Sequence, residues 1–364
     1  MPRLFDTHLD LAWNALSWKR NLRLPLAELN QIDGQFDDHP SRGRVTISFP
    51  ELRDAGLAIC LGTMMGRVPY GGEVAIHGSS LDFPDHESAY GFAHSQLGYY
   101  RALEQAGEVR LLTDAISLAE HWNTWQDESR WPDLPLGLIP AMEGADAICR
   151  PSQAAEWFAA GLRCVSLVHY GSSQYAAGTG DDGPVTAAGI ELLKEFDALG
   201  MILDTTHLCD QSFYQALDHF QGPLVASHQN CRALVPGDRQ FSDEQIKLIL
   251  QRDGLLGTAF DAWMLYPNWE RGKTSREVVS IEAAADHIDH ICQLAGDAKH
   301  ICLGTDLDGG YGTEQTPTGL EQYRDLQKLS DILSQRGYST AAIQDILGGN
   351  GFEFFQRHLP NKSS

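Results

Sequence analysis

Asp6, His8 and Asp10 alternate along RLFDTHLD (3–10). On an extended strand, side chains two apart share a face. Polar groups gathered on one face of an apolar run are costly to bury without a partner. The same residue types recur at or beside the ends of later apolar runs: Glu143 in LPLGLIPAME (134–143), His169 in RCVSLVHY (163–170), His207 in GMILDTTH (200–207), His228 in PLVASH (223–228) and Asp306 in HICLGTD (300–306). Imidazole and carboxylate without thiolate suit zinc, and manganese, cobalt or iron would bind the same set. The groups outnumber the ligands of one tetrahedral ion. Two ions bridged by a carboxylate, about 3.5–4 Å apart, would use them and would form a hydrolytic device.

Such a site needs a fold that brings strand ends together. Apolar runs bounded by polar or turn residues lie at 3–8, 56–65, 134–143, 163–170, 200–207, 223–228, 254–260 and 300–306. Between most of them run amphipathic stretches of helical length, among them 85–107, 187–200, 242–254 and 280–296. Strand–helix alternation repeated about eight times predicts an α/β fold, a (β/α)8 TIM barrel. All its strands are parallel, so the residues above meet on its C-terminal face, where barrels keep their chemistry. The rival is an open doubly wound sheet, but no Gly-x-Gly-x-x-Gly follows an early strand.

The chain is read as a single domain over 1–364, with long loops at about 17–47 and 66–86, a late helix at 319–337, a short one at 339–348 and a polar tail. Asp6 is expected to cap a turn or orient a ligand from behind, and Asp308 to serve a turn. The remaining histidines, His121 and His287 among them, are assigned to the surface or to caps.

Composition narrows the partners. The chain has 364 residues, 43% hydrophobic, with a formal net charge of −22. That charge disfavours nucleic acid and anionic membranes, which need Lys/Arg clusters. The seven cysteines are scattered without a Cys-x-x-Cys, as free thiols in a reducing compartment are. With no signal-peptide core, no long apolar window and no lipid-anchor tail, a soluble cytoplasmic protein without a membrane partner is expected.

Taken in order, these motifs resemble the membrane (renal) dipeptidase family of amidohydrolase-like binuclear zinc hydrolases. Asp6-Thr7-His8-Leu9-Asp10 matches its opening Asp-x-His-x-Asp, and Glu143-Gly144 its strand-end Glu-Gly. Val168-His169 stands at its Thr-His, Asp204-Thr205-Thr206-His207 at its Asp-x-x-His, and Ser227-His228 at its Ser-His. Arg239 follows at the family's spacing, then Gly304-Thr305-Asp306-Leu307-Asp308-Gly309 and Gly348-Gly349-Asn350.

The resemblance implies a metallo-dipeptidase with two zinc ions. His8, Asp10 and Glu143 would hold one; Glu143, His207 and His228 would hold the other. His169 would contact the substrate and stabilise the oxyanion. Arg239, with Arg232 as the nearby alternative, would bind the substrate's terminal carboxylate. Asp306 would relay the proton while a zinc-bridged hydroxide attacks the peptide bond. Homodimers are common in that family.

Leu9, Ala12, Tyr170 and Asp261 depart from residues common in the family, away from the implied ligands. Asp261, if it faces the pocket, would favour a free amino group. Two other functions remain open to the same metals: an amidase or lactonase acting on a non-peptide or cyclic substrate, and a metal-binding barrel without turnover.

Overall fold

The computed structural model of the chain describes residues 1–69 and 81–361. Nine strands lie in one parallel sheet: β1 (Leu4–Leu9), β2 (Leu57–Met65), β3 (Val109–Leu111), β4 (Leu136–Glu143), β5 (Cys164–Ser166), β6 (Ile202–Asp204), β7 (Leu224–Ala226), β8 (Leu255–Thr258) and β9 (Ile301–Leu303). Their order is β2-β1-β9-β8-β7-β6-β5-β4-β3, and β2 also pairs with β4 from Ile59↔Gly137 to Met65↔Glu143. That extra ladder closes an eight-stranded parallel barrel, as expected from the alternation. β3 is an addition. It lies on the edge of β4 opposite β2, pairing Leu111 with Leu138 while Cys60 takes the other side of Leu138. Three residues, with Arg110 in the middle and Glu108 just before, carry too little alternation to read as a strand.

β1, β2 and β4 are buried along their whole lengths, which is why they read as continuous apolar runs rather than as alternating ones. The amphipathic helices fall where the pattern places them: His86–Gln105, Ala187–Leu199, Asp243–Gln251 and Glu282–Ala295. The first three of these start on a capping side chain. Asp85 accepts from the backbone of Ser88, Thr186 from that of Gly189, and Ser242 forms a reciprocal box with Gln245.

Some expectations about connections change. The stretch 17–47 is not a plain loop: it contains the helix Leu26–Asp33 and a buried cluster. In that cluster Arg20 makes two hydrogen bonds to Asp33, each 3.1 Å, and Arg42 adds a third at 2.8 Å. The stretch 66–86 falls partly on 70–80, outside the described residues. Its two ends are joined, Arg67 N donating to Leu81 O and Phe83 N to Arg67 O, both at 2.7 Å.

Among the described residues, the stretch after 348 is not a polar tail. Helix Thr340–Gln344 runs through a π-helical turn, Asp345–Gly349, into a further helix, Asn350–His358. Gly348-Gly349 reads as a helix end, yet the helix runs on past the barrel, and a Cβ on Gly348 would collide with the Arg3 carbonyl. A Cβ on Gly351 would lie 2.6 Å from the Phe5 ring, and Phe355 stacks on Phe5 at 5.3 Å. The helix expected over 319–337 begins as a 3₁₀ turn at Tyr323–Lys328 and becomes α-helical at Leu329–Gln335.

All seven cysteines are free, and Cys149 alone is partly exposed. Among the described residues, no helix is long and apolar enough to cross a membrane.

Candidate metal centre

The C-terminal mouth of the barrel gathers the predicted residues. His8 lies on β1, Asp10 just past it and Glu143 ends β4. His207, His228 and Asp306 follow β6, β7 and β9 within three residues. Three sets of ligand atoms lie within 4.8 Å of one another: His8, Asp10 and Glu143; Glu143, His207 and His228; and His8, His228 and Asp306.

Glu143 divides its carboxylate between two of these sets. Oε1 is 3.1 Å from His207 Nε2 and 3.2 Å from His228 Nε2, whereas Oε2 faces His8 Nε2 at 3.8 Å. Asp10 Oδ1 approaches the same His8 nitrogen at 3.4 Å.

Hydroxyls behind the imidazoles fix which nitrogen carries the proton. Ser227 gives its hydroxyl hydrogen to Asp204 Oδ2 at 2.6 Å, so toward His228 Nδ1, 2.9 Å away, it accepts. The ring hydrogen then sits on Nδ1 and Nε2 presents a lone pair. Thr179 Oγ1 lies 2.9 Å from His207 Nδ1 and, with its own hydrogen directed at His207 O 3.5 Å away, is placed to accept in the same way.

The two Nε2 atoms therefore point lone pairs at each other across 3.3 Å, and both point at Glu143. His8 Nε2, Asp10 Oδ1 and Glu143 Oε1 are buried without a hydrogen-bond partner among the described residues. Buried acceptors aimed at one another are unfavourable unless a cation lies between them. The donor set therefore fits a metal.

Charge tells the same story. Burial disfavours the ionised form of Glu143 and pushes its pKa up to about 8. Burial works against the His8 cation too, but the carboxylates of Glu143 and Asp10 outweigh it and raise His8 to about 10. Without an ion, a proton on His8 supplies the positive charge that these carboxylates demand. Burial holds His169, His207 and His228 well below the usual histidine range, helped by the positive charge of Arg239, so all three are neutral.

The groups expected to act on substrate border the same cavity. His169 Nε2 lies 3.8 Å from Glu143 Oε2. Asp306 reaches to 3.8 Å from His8 Nε2 and so lies within reach of a metal as well as of substrate. Arg239 is 3% exposed, donating from Nη1 to Gln229 Oε1 and from Nη2 to His228 O, both at 2.8 Å. Arg232, the alternative cation, pairs with Asp210 at 2.7 Å away from this cavity.

His207 (φ +69°) and Asp306 (φ +57°) adopt left-handed backbone. For non-glycine residues this costs on the order of 1 kcal/mol each and clusters at functional sites. Asp6 sits behind the site, as expected: its carboxylate accepts from the Thr305 backbone at 2.9 Å and from the Tyr323 hydroxyl at 2.8 Å.

Asp308 is no simple turn residue; it is fully buried. His121 and His287 are likewise buried, each 1% exposed, and each makes a hydrogen bond to buried backbone, His121 with Ala58 on β2 and His287 with Cys231 in the connection after β7. Sequence reasoning missed Thr179, Gln315 and Arg271, which are loop residues that reach the site only through the fold.

The sequence profile of the membrane dipeptidase family, peptidase family M19, matches residues 92–360. A Klebsiella pneumoniae protein described as an uncharacterized protein in the pqqA 5′ region is 30% identical over 256 residues, 67% of this chain and 87% of that one. An uncharacterized dipeptidase of Schizosaccharomyces pombe is 28% identical over 223 residues, 59% of this chain and 51% of its own length, so the chain spans about half of that relative.

Among solved structures, a metallo peptidase from Rhodobacter sphaeroides, liganded with a phosphinate mimic of the dipeptide L-Ala-D-Ala, has a TM-score of 0.76. It is 24% identical, and the match covers 98% of this chain and 99% of that chain. An amidohydrolase from Pseudomonas aeruginosa gives a TM-score of 0.67 at 17% identity, covering 93% of this chain and 100% of that one. The structural likenesses establish the fold; by its sequence match, the chain belongs to the membrane dipeptidase family, peptidase family M19.

Proposed function

We propose that this metallo-dipeptidase hydrolyses short peptides with a free C-terminal carboxylate, with two zinc ions as cofactors. The observation that carries this reading is the division of Glu143 between two ligand sets, Oε1 toward His207 and His228 and Oε2 toward His8. His8, Asp10 and Glu143 would hold one ion, and Glu143, His207 and His228 the other. When bound, such ions supply Lewis acidity, which polarises the scissile carbonyl and acidifies water.

The remaining steps belong to the chain. Two guanidinium nitrogens of Arg239 are committed to Gln229 and His228, which pins the group while its other N–H bonds remain for a substrate carboxylate. His169, neutral and beside Glu143, offers an imidazole N–H to the carbonyl oxygen as negative charge builds on it. Asp306 accepts a proton from the attacking water and returns it to the departing amine nitrogen.

The test is hydrolysis of a dipeptide panel by chelator-stripped protein, with and without zinc. The panel includes C-terminally amidated counterparts. Zinc-dependent cleavage confined to free-carboxylate dipeptides is expected. Zinc-bound protein that cleaves amidated forms equally well, or cleaves no dipeptide, overturns the reading.

A further inference from the structure

Asp261 is a buried carboxylate in the cavity wall that the mechanism above does not use. It follows β8 and is 4% exposed. Its helix-capping contact is long, 3.3 Å from Trp263 N to Oδ1. Its orientation comes instead from Gln315, whose Nε2 donates to both carboxylate oxygens, at 2.8 and 2.7 Å.

Gln315 is fixed in turn. Its Oε1 accepts from Arg271 Nε, and its backbone carbonyl accepts from Ala262 N at 2.8 Å. Arg271 spends Nη2 on Gly310 O at 3.1 Å. It reaches the carboxylate only through that amide, so among the described residues no Lys or Arg forms an ion pair with Asp261. A buried charge held in place without an ion-pair partner is costly. Burial accordingly raises the Asp261 pKa to about 7, and a cation arriving with the substrate would offset that cost. Arg239 borders the same cavity. Besides the metal ligands and Asp306, the cavity thus holds the Asp261 carboxylate and the guanidinium groups of Arg239 and Arg271, the latter committed to Gln315 and Gly310.

We propose that Asp261, oriented by Gln315 and Arg271, is a specificity residue that selects substrates carrying a protonated amine in addition to their carboxylate. This rests on the dipeptidase reading. The amine can come from the substrate's N-terminus or from a basic side chain; the chemistry that Asp261 recognises is the same. A capping role alone would not require both oxygens to be oriented by a buried amide that a loop arginine holds in turn.

The test compares substrates that differ only in the amine. Ala-Ala against propionyl-Ala isolates the terminal amine. The pair 6-aminohexanoyl-Ala and hexanoyl-Ala isolates a basic side chain on the first residue, and propionyl-Lys against propionyl-norleucine does so on the second. At least one pair is expected to show a preference for the amine of roughly 10–100-fold in kcat/KM, the range of a charge-assisted hydrogen bond. That preference should collapse in both Asp261→Asn and Asp261→Ser, which keep a helix-capping oxygen.

No amine preference in the wild type, or one that survives both substitutions, overturns the proposal. Non-hydrolysable phosphinate analogues of the same pairs, titrated by calorimetry, separate this inference from the dipeptidase reading. If no substrate turns over but the analogues bind with an Asp261-dependent amine preference, the reading fails and the ammonium site stands. If that preference is absent as well, both fail.

Discussion

Both carboxylate oxygens of Asp308 accept from the backbone N–H of Thr46, at 3.0 and 3.1 Å, and Oδ1 also takes the Thr46 hydroxyl at 2.8 Å. Ile47 N adds a bond at 3.1 Å. The second Asp of the Gly-x-Asp-x-Asp-Gly motif therefore fastens the 17–47 segment to the barrel mouth. Asp308→Ala leaves buried N–H groups unpaired, at about 1–3 kcal/mol each. Protease should cut within 17–47 at urea concentrations that leave the barrel folded. Cleavage no faster than in the wild type would show that the segment is held by other contacts.

Ser227 links Asp204 to His228 and sets the tautomer that frees Nε2. Removing such a partner typically costs 10–100-fold in metal affinity. Ser227→Ala, titrated with zinc against a chromophoric chelator, should weaken one binding step by about that factor. An unchanged affinity would mean that Nε2 of His228 is not a ligand.

Asp306 Oδ1 packs against Gly309, where a Cβ would collide with it. Gly309→Ala should displace the carboxylate and lower kcat while zinc stoichiometry is retained. Asp306→Asn, which keeps the shape, should lose roughly 10²–10⁴-fold in rate, the range for acid–base groups. Normal turnover in Asp306→Asn would remove this residue from proton transfer.

The barrel and its ligand face were legible because strand ends carry the chemistry, and apolar runs ending in His or Asp can be read one at a time. Glu143, His207 and His228 needed only the parallel topology to meet. What was hidden depends on contacts across the fold. Thr179 orients His207 from 28 positions away, and Gln315 orients Asp261 from 54 away; no local pattern marks such pairs. The helix Leu26–Asp33 was different. Pro25, Glu28 and Gly34 supply ordinary start and stop signals, but they were outweighed by the polar residues around them. The Asn350–His358 helix was hidden by Gly348-Gly349; at Gly348 the missing side chain serves close packing against Arg3 and Trp122 rather than a helix end.

Arg239 should govern affinity more than chemistry. Arg239→Ala should raise KM for free-carboxylate dipeptides by more than it does for their amidated counterparts. Arg239→Lys should restore only part of the loss, since a point charge cannot reproduce the planar fork. Equal effects of Arg239→Ala on both substrate classes would remove the clamp.

The last prediction concerns stability rather than catalysis. His287 is buried on the helix Glu282–Ala295, and its Nδ1 accepts from Cys231 N at 3.0 Å. That bond exists only while Nδ1 is unprotonated. Burial, with a small contribution from His290, lowers its pKa from 6.5 to about 3. The native state therefore stays neutral between these values while the unfolded chain takes up a proton. Stability from this group is fully present above pH 6.5 and is lost as pH falls from there toward 3, with a slope on the order of 1 kcal/mol per pH unit. His121, lowered by burial to about 4, acts in the same direction. His287→Gln keeps a side-chain acceptor but cannot titrate. In urea unfolding of chelator-treated protein from pH 7 to 5, the variant should lose less stability than the wild type, so the gap between them narrows with acid. Parallel curves would mean that His287 carries a proton in the native state and that burial does not hold it neutral.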